Sequence, residues 1–345
     1  MRDGILILDK PQEWTSSDCV AICRRAFRCK GIKKVGHGGT LDPMATGVLP
    51  IFIGQATRIM EYLDLDMKTY RCSAALGKVT DTLDIWGQTL DTQDYSHVTA
   101  DALRQCLESF KGWIWQTPPK YSAVRINGKR LYEYAYKGQE VDVDIKQRNV
   151  NIQDIQLISC DMEVGAFVFD VTCSKGTYVR TICSDIGDQL GCGCVMTALT
   201  RTKVGNISLD GAPHVYSPLR IKELCSSGSQ EEIESFAEEL YGQLLPADYP
   251  LIHFGKIRLS EDRVRYFSRG NSIRWNQVNV TGEPDRDYMH SVRSDGSMPL
   301  NARGRRYDRI YRIYEDDTGA FIGTGYYDKD ERLLKADKVF IEKRP

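Results

Sequence analysis

The sequence predicts an α+β protein whose main body is followed by a small β-barrel-like domain. Three observations carry this. Strand-like and helix-like runs mix without the regular alternation of a doubly wound sheet. At 345 residues the chain is long for one core and suggests two domains. Beyond Pro246 and Pro250, short strand-like runs punctuated by glycine follow one another, which suits a small barrel.

Taken in order, Gly4–Leu8 reads as a strand that ends at Lys10-Pro11. Ser16 or Ser17 is placed to cap a helix running to about Cys29, with Val20 and Phe27 on one stripe. A Gly-dense loop follows, then an apolar run, Val48–Ile53, that reads as a buried strand, and a helix over Ala56–Leu63. Tyr70–Leu76 and Phe167–Cys173 read as strands, and Asp101–Phe110 and Thr177–Leu190 as amphipathic helices. Pro118–Arg130 is rich in Pro and Lys and reads as an exposed loop; Leu131–Tyr136 is dense in tyrosine. Residues 206–245 form an acidic helical connector that closes a first domain, 1–245. In the second domain, 246–345, Leu251–Phe254, Val264–Phe267, Ile310–Tyr314 and Ala320–Tyr327 are the strand-like runs. Thr281–Gly304, polar and rich in Gly, Asp and Arg, reads as a surface insertion, near 281–304.

Composition narrows the class of protein. Hydrophobic residues make up 41% and charged residues 27%, which is ordinary for a soluble globular chain. No stretch is apolar enough to span a membrane, and Met1-Arg2-Asp3 leads straight into a strand without a cleavage-site pattern, so the expected location is the cytoplasm with no membrane partner. The 11 cysteines, an odd number scattered through apolar contexts, point to free thiols. Cys192-Gly193-Cys194 lacks a second pair at zinc spacing, so no metal is expected. The net charge of -1 does not announce a nucleic-acid binder, but the basic residues are uneven. Arg24, Arg25, Arg28, Lys30, Lys33 and Lys34 form one group, Lys120, Arg125, Lys129 and Arg130 a second, and Arg303, Arg305, Arg306, Arg309 and Arg312 a third. Each is either a solvated surface or a track for a phosphate backbone.

The chemistry centres on Gly36-His37-Gly38-Gly39-Thr40-Leu41-Asp42-Pro43-Met44-Ala45-Thr46-Gly47-Val48-Leu49-Pro50. Glycines allow turns that a Cβ forbids, and Pro43 biases Asp42 toward extended backbone. A rigid loop entering a core strand fixes one carboxylate in space. The alternative is a tight turn whose Asp caps a local amide. This loop resembles the catalytic motif of the TruB family of tRNA pseudouridine synthases over its whole length. Three further motifs extend the resemblance over most of 1–205: Leu8-Asp9-Lys10-Pro11; Thr80-Asp81-Thr82-Leu83-Asp84 with Tyr70 upstream; and Ser174-Lys175-Gly176-Thr177-Tyr178-Val179-Arg180-Thr181. The C-terminal domain more loosely resembles a PUA-type RNA-binding domain.

The resemblance implies a pseudouridine synthase fold with a mixed, mainly antiparallel sheet flanked by helices. It implies isomerisation of a uridine already in RNA, the T-loop uridine at position 55 of tRNA. That reaction needs no net redox change or hydrolysis, hence no cofactor. By resemblance Asp42 is the catalytic carboxylate, Tyr70 stacks on the target base and helps move the C5 proton, and Arg180 pairs with Asp42. Tyr178 and Leu199 line the uracil pocket, His37 contacts RNA around the flipped nucleotide, and Lys10 and Asp84 support. The expected partner is the tRNA T-arm, with no guide RNA, and the expected state is a monomer. Cys194-Val195 and Thr200 depart from the family's usual Ala-His and Arg. Three other readings stay open: a guide-RNA-dependent synthase of the dyskerin type, a non-catalytic tRNA-binding or folding module, and a glycosidase pairing Asp42 with Asp81 or Asp84.

Overall fold

The computed structural model describes residues 3–65, 67–122, 124–126, 128–135, 146–290, 293, 297–301 and 303–340. The chain forms two compact units, Met67–Val204 and the pair of segments Met1–Asp66 and Gly205–Pro345.

The first unit begins with β1 (Gly4–Lys10), α1 (Ser16–Ala26), β2 (Val35–His37) and β3 (Thr46–Ile53). β1 lies antiparallel to β3, with Ile5 opposite Phe52 and Lys10 opposite Gly47, and β2 also pairs with β3. The apolar runs read in the sequence are β1 and β3; β2 lies where the Gly-dense loop was expected. Thr15, rather than Ser16 or Ser17, caps α1: its hydroxyl accepts from the Asp18 amide, and the Asp18 carboxylate accepts from the Thr15 amide in return. The helix turns into a 3-10 segment at Phe27–Lys30, and the helix expected at 56–63 is a 3-10 helix, Gly54–Leu65.

The second unit holds the sheet that carries most of the expected site. Its elements are β4 (Lys68–Leu76), the hairpin β5 (Lys78–Thr80) and β6 (Thr89–Thr92), α2 (Ala100–Ser109) and β7 (Gly112–Gln116). Next come β8 (Arg125–Ile126), β9 (Lys129–Arg130), α3 (Leu131–Ala135), β10 (Arg148–Asp161), β11 (Ala166–Cys173), α4 (Val179–Leu190) and β12 (Cys194–Val204). The sheet order is β12-β4-β11-β10-β7, antiparallel throughout. The run expected to be an exposed loop ends in a small hairpin, Arg125 opposite Arg130. β4 alternates buried and accessible residues, so Lys68, Tyr70, Cys72, Ala74 and Leu76 share the buried face. α4 covers that face; Cys72 and Cys183 approach to 3.6 Å as free thiols. β12 carries two bulges, between Met196 and Ala198 and between Arg201 and Lys203.

The C-terminal part of the first unit continues with β13 (Ile207–Ser208), α5 (Pro218–Ser227), α6 (Gln230–Gly242) and β14 (Leu245–Pro246), which pairs with β1. Ile221, Phe236 and Leu240 of the acidic connector pack against Cys19, Cys23 and Phe27, so its apolar face closes over α1. Beyond it lie β15 (Gly255–Leu259), α7 (Glu261–Ser268), β16 (Ile273–Arg274), β17 (Asn279–Gly282), α8 (Arg286–His290), β18 (Ile310–Glu315), β19 (Phe321–Asp328) and β20 (Leu333–Val339). The sheet order is β16-β20-β19-β18-β15-β17, a curled half-barrel in which only β15 and β18 run parallel. Two strand-like readings fail here: Leu251–Phe254 is a turn, and Val264–Phe267 lies in α7. Within the expected insertion, Met289 and Met298 are buried, while 291, 292, 294–296 and 302 lie outside the described residues.

Candidate active site

Asp42 is half-buried in a loop clamped on both sides. On the N-terminal side, Ser16 Oγ accepts from the Leu41 amide at 2.9 Å and donates to the Leu41 carbonyl at 3.2 Å. On the C-terminal side, the Pro43 carbonyl accepts from the Glu13 amide at 2.8 Å and from Lys10 Nζ at 3.4 Å. Lys10 is wholly buried and also donates to the carbonyls of Pro11 and Trp14, at 2.9 and 2.6 Å. Its ammonium thus gathers three carbonyls around the base of the loop. The turn itself closes through the Asp42 carbonyl, which accepts from the Ala45 amide at 3.0 Å. Gly39 and Gly47, at φ 104° and 103°, supply the backbone conformations that let the loop leave β2 and enter β3. His37, the last residue of β2, sits opposite Ile51 and is half-buried.

The other expected site residues, Tyr70, Tyr178, Arg180 and Leu199, belong to the second unit. Tyr70 lies on the buried face of β4, opposite Val171 on one side and Arg201 on the other. Leu199 stands between the two bulges of β12, opposite Cys72. Bulges re-aim side chains and recur beside active sites. Tyr178 is the N-cap of α4, and the buried Gln116 amide grips its backbone on both sides: Nε2 donates to the Tyr178 carbonyl at 3.0 Å and Oε1 accepts from its amide at 2.7 Å.

Arg180 occupies the first turn of α4, where a cation opposes the helix dipole. It is 6% exposed, so it is not a solvated surface arginine. Nη1 donates to the Thr82 carbonyl and Nη2 to the Tyr121 carbonyl, each at 3.1 Å, and the Asp84 carboxylate lies 3.8 Å from Nη1. Asp84 is itself fixed, accepting from Thr82 Oγ1 at 2.8 Å and the Trp86 amide at 3.1 Å. The segment presenting these acceptors is strained: Leu83 takes φ 64°, a left-handed conformation that costs a non-glycine residue roughly 1–2 kcal/mol. Asp81, the other candidate for a paired carboxylate, accepts from the Gln88 amide at 2.7 Å and faces the Tyr121 hydroxyl at 3.5 Å. Burial pushes the Cys183 thiol, which meets Cys72, well up.

Several of these parts were invisible to sequence reasoning. Ser16, Gln116, Tyr121 and Arg201 act through partners 25 to 131 positions away or through a strand register, and no local spacing marks them. The basic groups are also less available than their numbers suggest. Lys30 pairs with Glu238, Arg303 and Arg305 with Asp337, and Arg306 with Asp308 through two parallel bonds.

Comparison with known proteins adds independent support. A family model described as the TruB family pseudouridylate synthase N-terminal domain matches residues 24–179, and one described as the tRNA pseudouridylate synthase B C-terminal domain matches 180–251. The chain is 36% identical to tRNA pseudouridine synthase B of Clostridium perfringens over 342 residues, 99% of each protein. It is 36% identical to the Clostridioides difficile protein of the same name over 98% of this chain and 99% of that one. Among solved structures, a chain of an archaeal box H/ACA sRNP Nop10–Cbf5 complex shares the fold, with a TM-score of 0.65 at 21% identity over 99% of this chain and 86% of that chain. With sequence, fold and motif order in agreement, the chain belongs to the TruB family of pseudouridine synthases.

Proposed function

We propose that this enzyme isomerises uridine to pseudouridine in the T loop of tRNA, at position 55, with Asp42 as the catalytic carboxylate. The observation that carries the reading is the double clamp on the Asp42 loop. Isomerisation requires a group that bears or shares negative charge while the N-glycosidic bond breaks and the uracil turns over. Attack at C1′ of the ribose and attack at C6 of the uracil both begin from a carboxylate held in one place. Ser16 and Lys10 hold the residues on either side of Asp42.

In this reading Tyr70 stacks on the extruded base and takes part in moving its C5 proton, while Leu199 and Tyr178 form the apolar wall and rim of the uracil pocket. Arg180 orients the carboxylate, and His37 contacts RNA beside the flipped nucleotide. No step calls for a metal or an organic cofactor. The half-barrel of residues 246–345 serves tRNA binding, and exposed Lys120, Arg125 and Lys129 meet phosphates.

The test is a single-turnover assay on an unmodified tRNA transcript with purified protein alone. We expect pseudouridine at one T-loop uridine, and none with Asp42→Asn although that variant still binds tRNA. Product that appears only after a guide RNA or accessory protein is added would replace this reading with the guide-dependent one. Binding without product from the wild-type protein under every condition would leave a tRNA-binding module.

A further inference from the structure

Arg201 is the largest of the fully buried side chains among the described residues. A guanidinium without solvent persists only where its charge and its donors are met. Arg201 on β12 stands directly opposite Tyr70 on β4 in antiparallel register, so both side chains leave the same sheet face. The guanidinium hydrogen-bonds the Tyr70 side chain. A bulge follows Arg201 and shifts the register before pairing resumes at Lys203, and Leu199, two residues earlier, shares the same face.

We propose that Arg201 is the positioning residue of Tyr70: it donates to the phenol oxygen, and so makes that oxygen the acceptor of the C5 proton rather than the source of one. This rests on the reading above that Tyr70 meets the target base. An arginine can only donate. The phenol proton therefore cannot point at Arg201, and a phenolate facing it gains a charge-assisted bond. Burial lowers the Arg201 pKa, and the hydrogen-bonded Tyr70 side chain opposes that shift.

The step balances as follows. Once C5 has bonded to the ribose it carries that bond and its hydrogen. The proton passes to the phenolate oxygen, and the C5–H electron pair becomes the C5–C6 double bond. The C6–N1 double-bond pair returns to N1, which takes a proton from water. The phenol then gives its proton back to water. Among the described residues, the other titratable or charged groups on this sheet face and on the helix covering it are Lys68 and Cys72 on β4, Cys173 on β11, Cys194 on β12, and Arg180, Cys183, Asp185 and Asp188 on α4. Burial pushes the Cys173 thiol up to about 11, so it stays protonated across the working pH range.

Four variants decide the matter: Arg201→Met, Arg201→Lys, Tyr70→Phe and the double variant Arg201→Met/Tyr70→Phe. Each is measured for single-turnover rate against pH at saturating tRNA transcript, for tRNA affinity, and for melting temperature. Arg201→Met is expected to lower the rate roughly 10- to 100-fold and move the rising limb of the pH profile to higher pH, with affinity changed less than about 3-fold. Arg201→Lys keeps a charge and a donor, and should recover part of the rate and part of the shift. In the Tyr70→Phe background, Arg201→Met should cost less than about 3-fold, because its effect runs through the missing hydroxyl. Losses that multiply, or a pH profile that does not move, overturn the proposal. If Arg201→Met does not fold, Arg201→Lys decides alone: a full wild-type rate and profile in a folded protein overturns it. An inactive wild-type enzyme would overturn the functional reading and this inference together, whereas an active one with multiplying losses overturns this inference only.

Discussion

Ser16→Ala isolates the clamp on the Asp42 loop. The substitution removes one oxygen and creates almost no cavity, since Ser16 is 2% exposed and Ala keeps its Cβ. Both bonds to Leu41 disappear, the one accepted from its amide and the one donated to its carbonyl. An orphaned buried backbone group costs roughly 1–3 kcal/mol, so the variant should lose on the order of 2–4 kcal/mol. For a domain of this size that is roughly 5–15 °C in melting temperature. Asp42 is the next residue along. A displacement of about 1 Å at a reacting group costs roughly 10²-fold in rate, so the single-turnover rate should fall about 10- to 100-fold while tRNA affinity stays within about 2-fold. Thr15→Ala is the matched control. It removes the capping box of the same helix, worth about 1 kcal/mol, without touching Leu41. It should lower the melting temperature by roughly 2–4 °C and leave the rate alone. A Ser16→Ala enzyme that melts early but turns over at the wild-type rate would refute the claim that this clamp holds Asp42 for catalysis.

Three further outcomes follow from the geometry. Arg180→Lys cannot reach the carbonyls of Thr82 and Tyr121 together from one ammonium, so the single-turnover rate should drop about 10²-fold with little change in tRNA affinity; a loss confined to affinity would make Arg180 a phosphate contact instead. Leu83→Gly relieves left-handed strain and should raise stability by up to about 1 kcal/mol with activity kept, whereas a melt lowered by several degrees would show that the leucine side chain matters more than its backbone. His253 is 5% exposed, and burial lowers its pKa from 6.5 to about 4. Above 6.5 the ring is neutral folded and unfolded and has no effect; as pH falls from 6.5 toward 4 the unfolded chain takes up a proton that the folded protein refuses, and stability drops by up to about 3 kcal/mol. Denaturant titrations of wild type and His253→Gln at pH 7.5, 5.5 and 4.5 should diverge only on the acid side, and parallel curves would sink the assignment.

Much of this architecture was legible because its signals are local. β1 and β3 contain continuous apolar runs, and β4, β11, β18 and β19 alternate or concentrate β-branched and aromatic residues. The failures are equally physical. Val264-Arg265-Tyr266-Phe267 has strand-like composition, but Ser260 with Glu261 and Asp262 starts a helix, and the three-residue spacing of Val264 and Phe267 puts both in the core. Ser16 looked like a helix cap because three capping residues stand in a row. The one that reaches an acidic partner three positions later is Thr15, which leaves Ser16 free to grip Leu41. Of the candidate site, the motif residues could be named from the sequence. What holds them could not: Gln116 on Tyr178 depends on how β7 meets the start of α4, and Arg201 on Tyr70 on strand register, both properties of the folded sheet.

The junction around Asp337 constrains how this enzyme can be dissected. Its side chain, at 0% exposure, accepts from the Tyr62 hydroxyl and pairs with Arg303 and Arg305 at 3.2 and 2.7 Å, while Lys338 reaches Glu61 at 2.8 Å. Tyr62 also sets its ring edge-on to Phe254 and Tyr307. The half-barrel is therefore fastened to the 3-10 helix that continues from β3, the strand the Asp42 loop enters. A truncated protein ending near residue 250 would uncover Tyr62 and strip the packing from that helix, so a fall in its activity would report damage to the catalytic scaffold as readily as lost RNA contact. Point changes on the outer face of β18 to β20 separate the two, because they test the proposed RNA contact while the fastening stays intact.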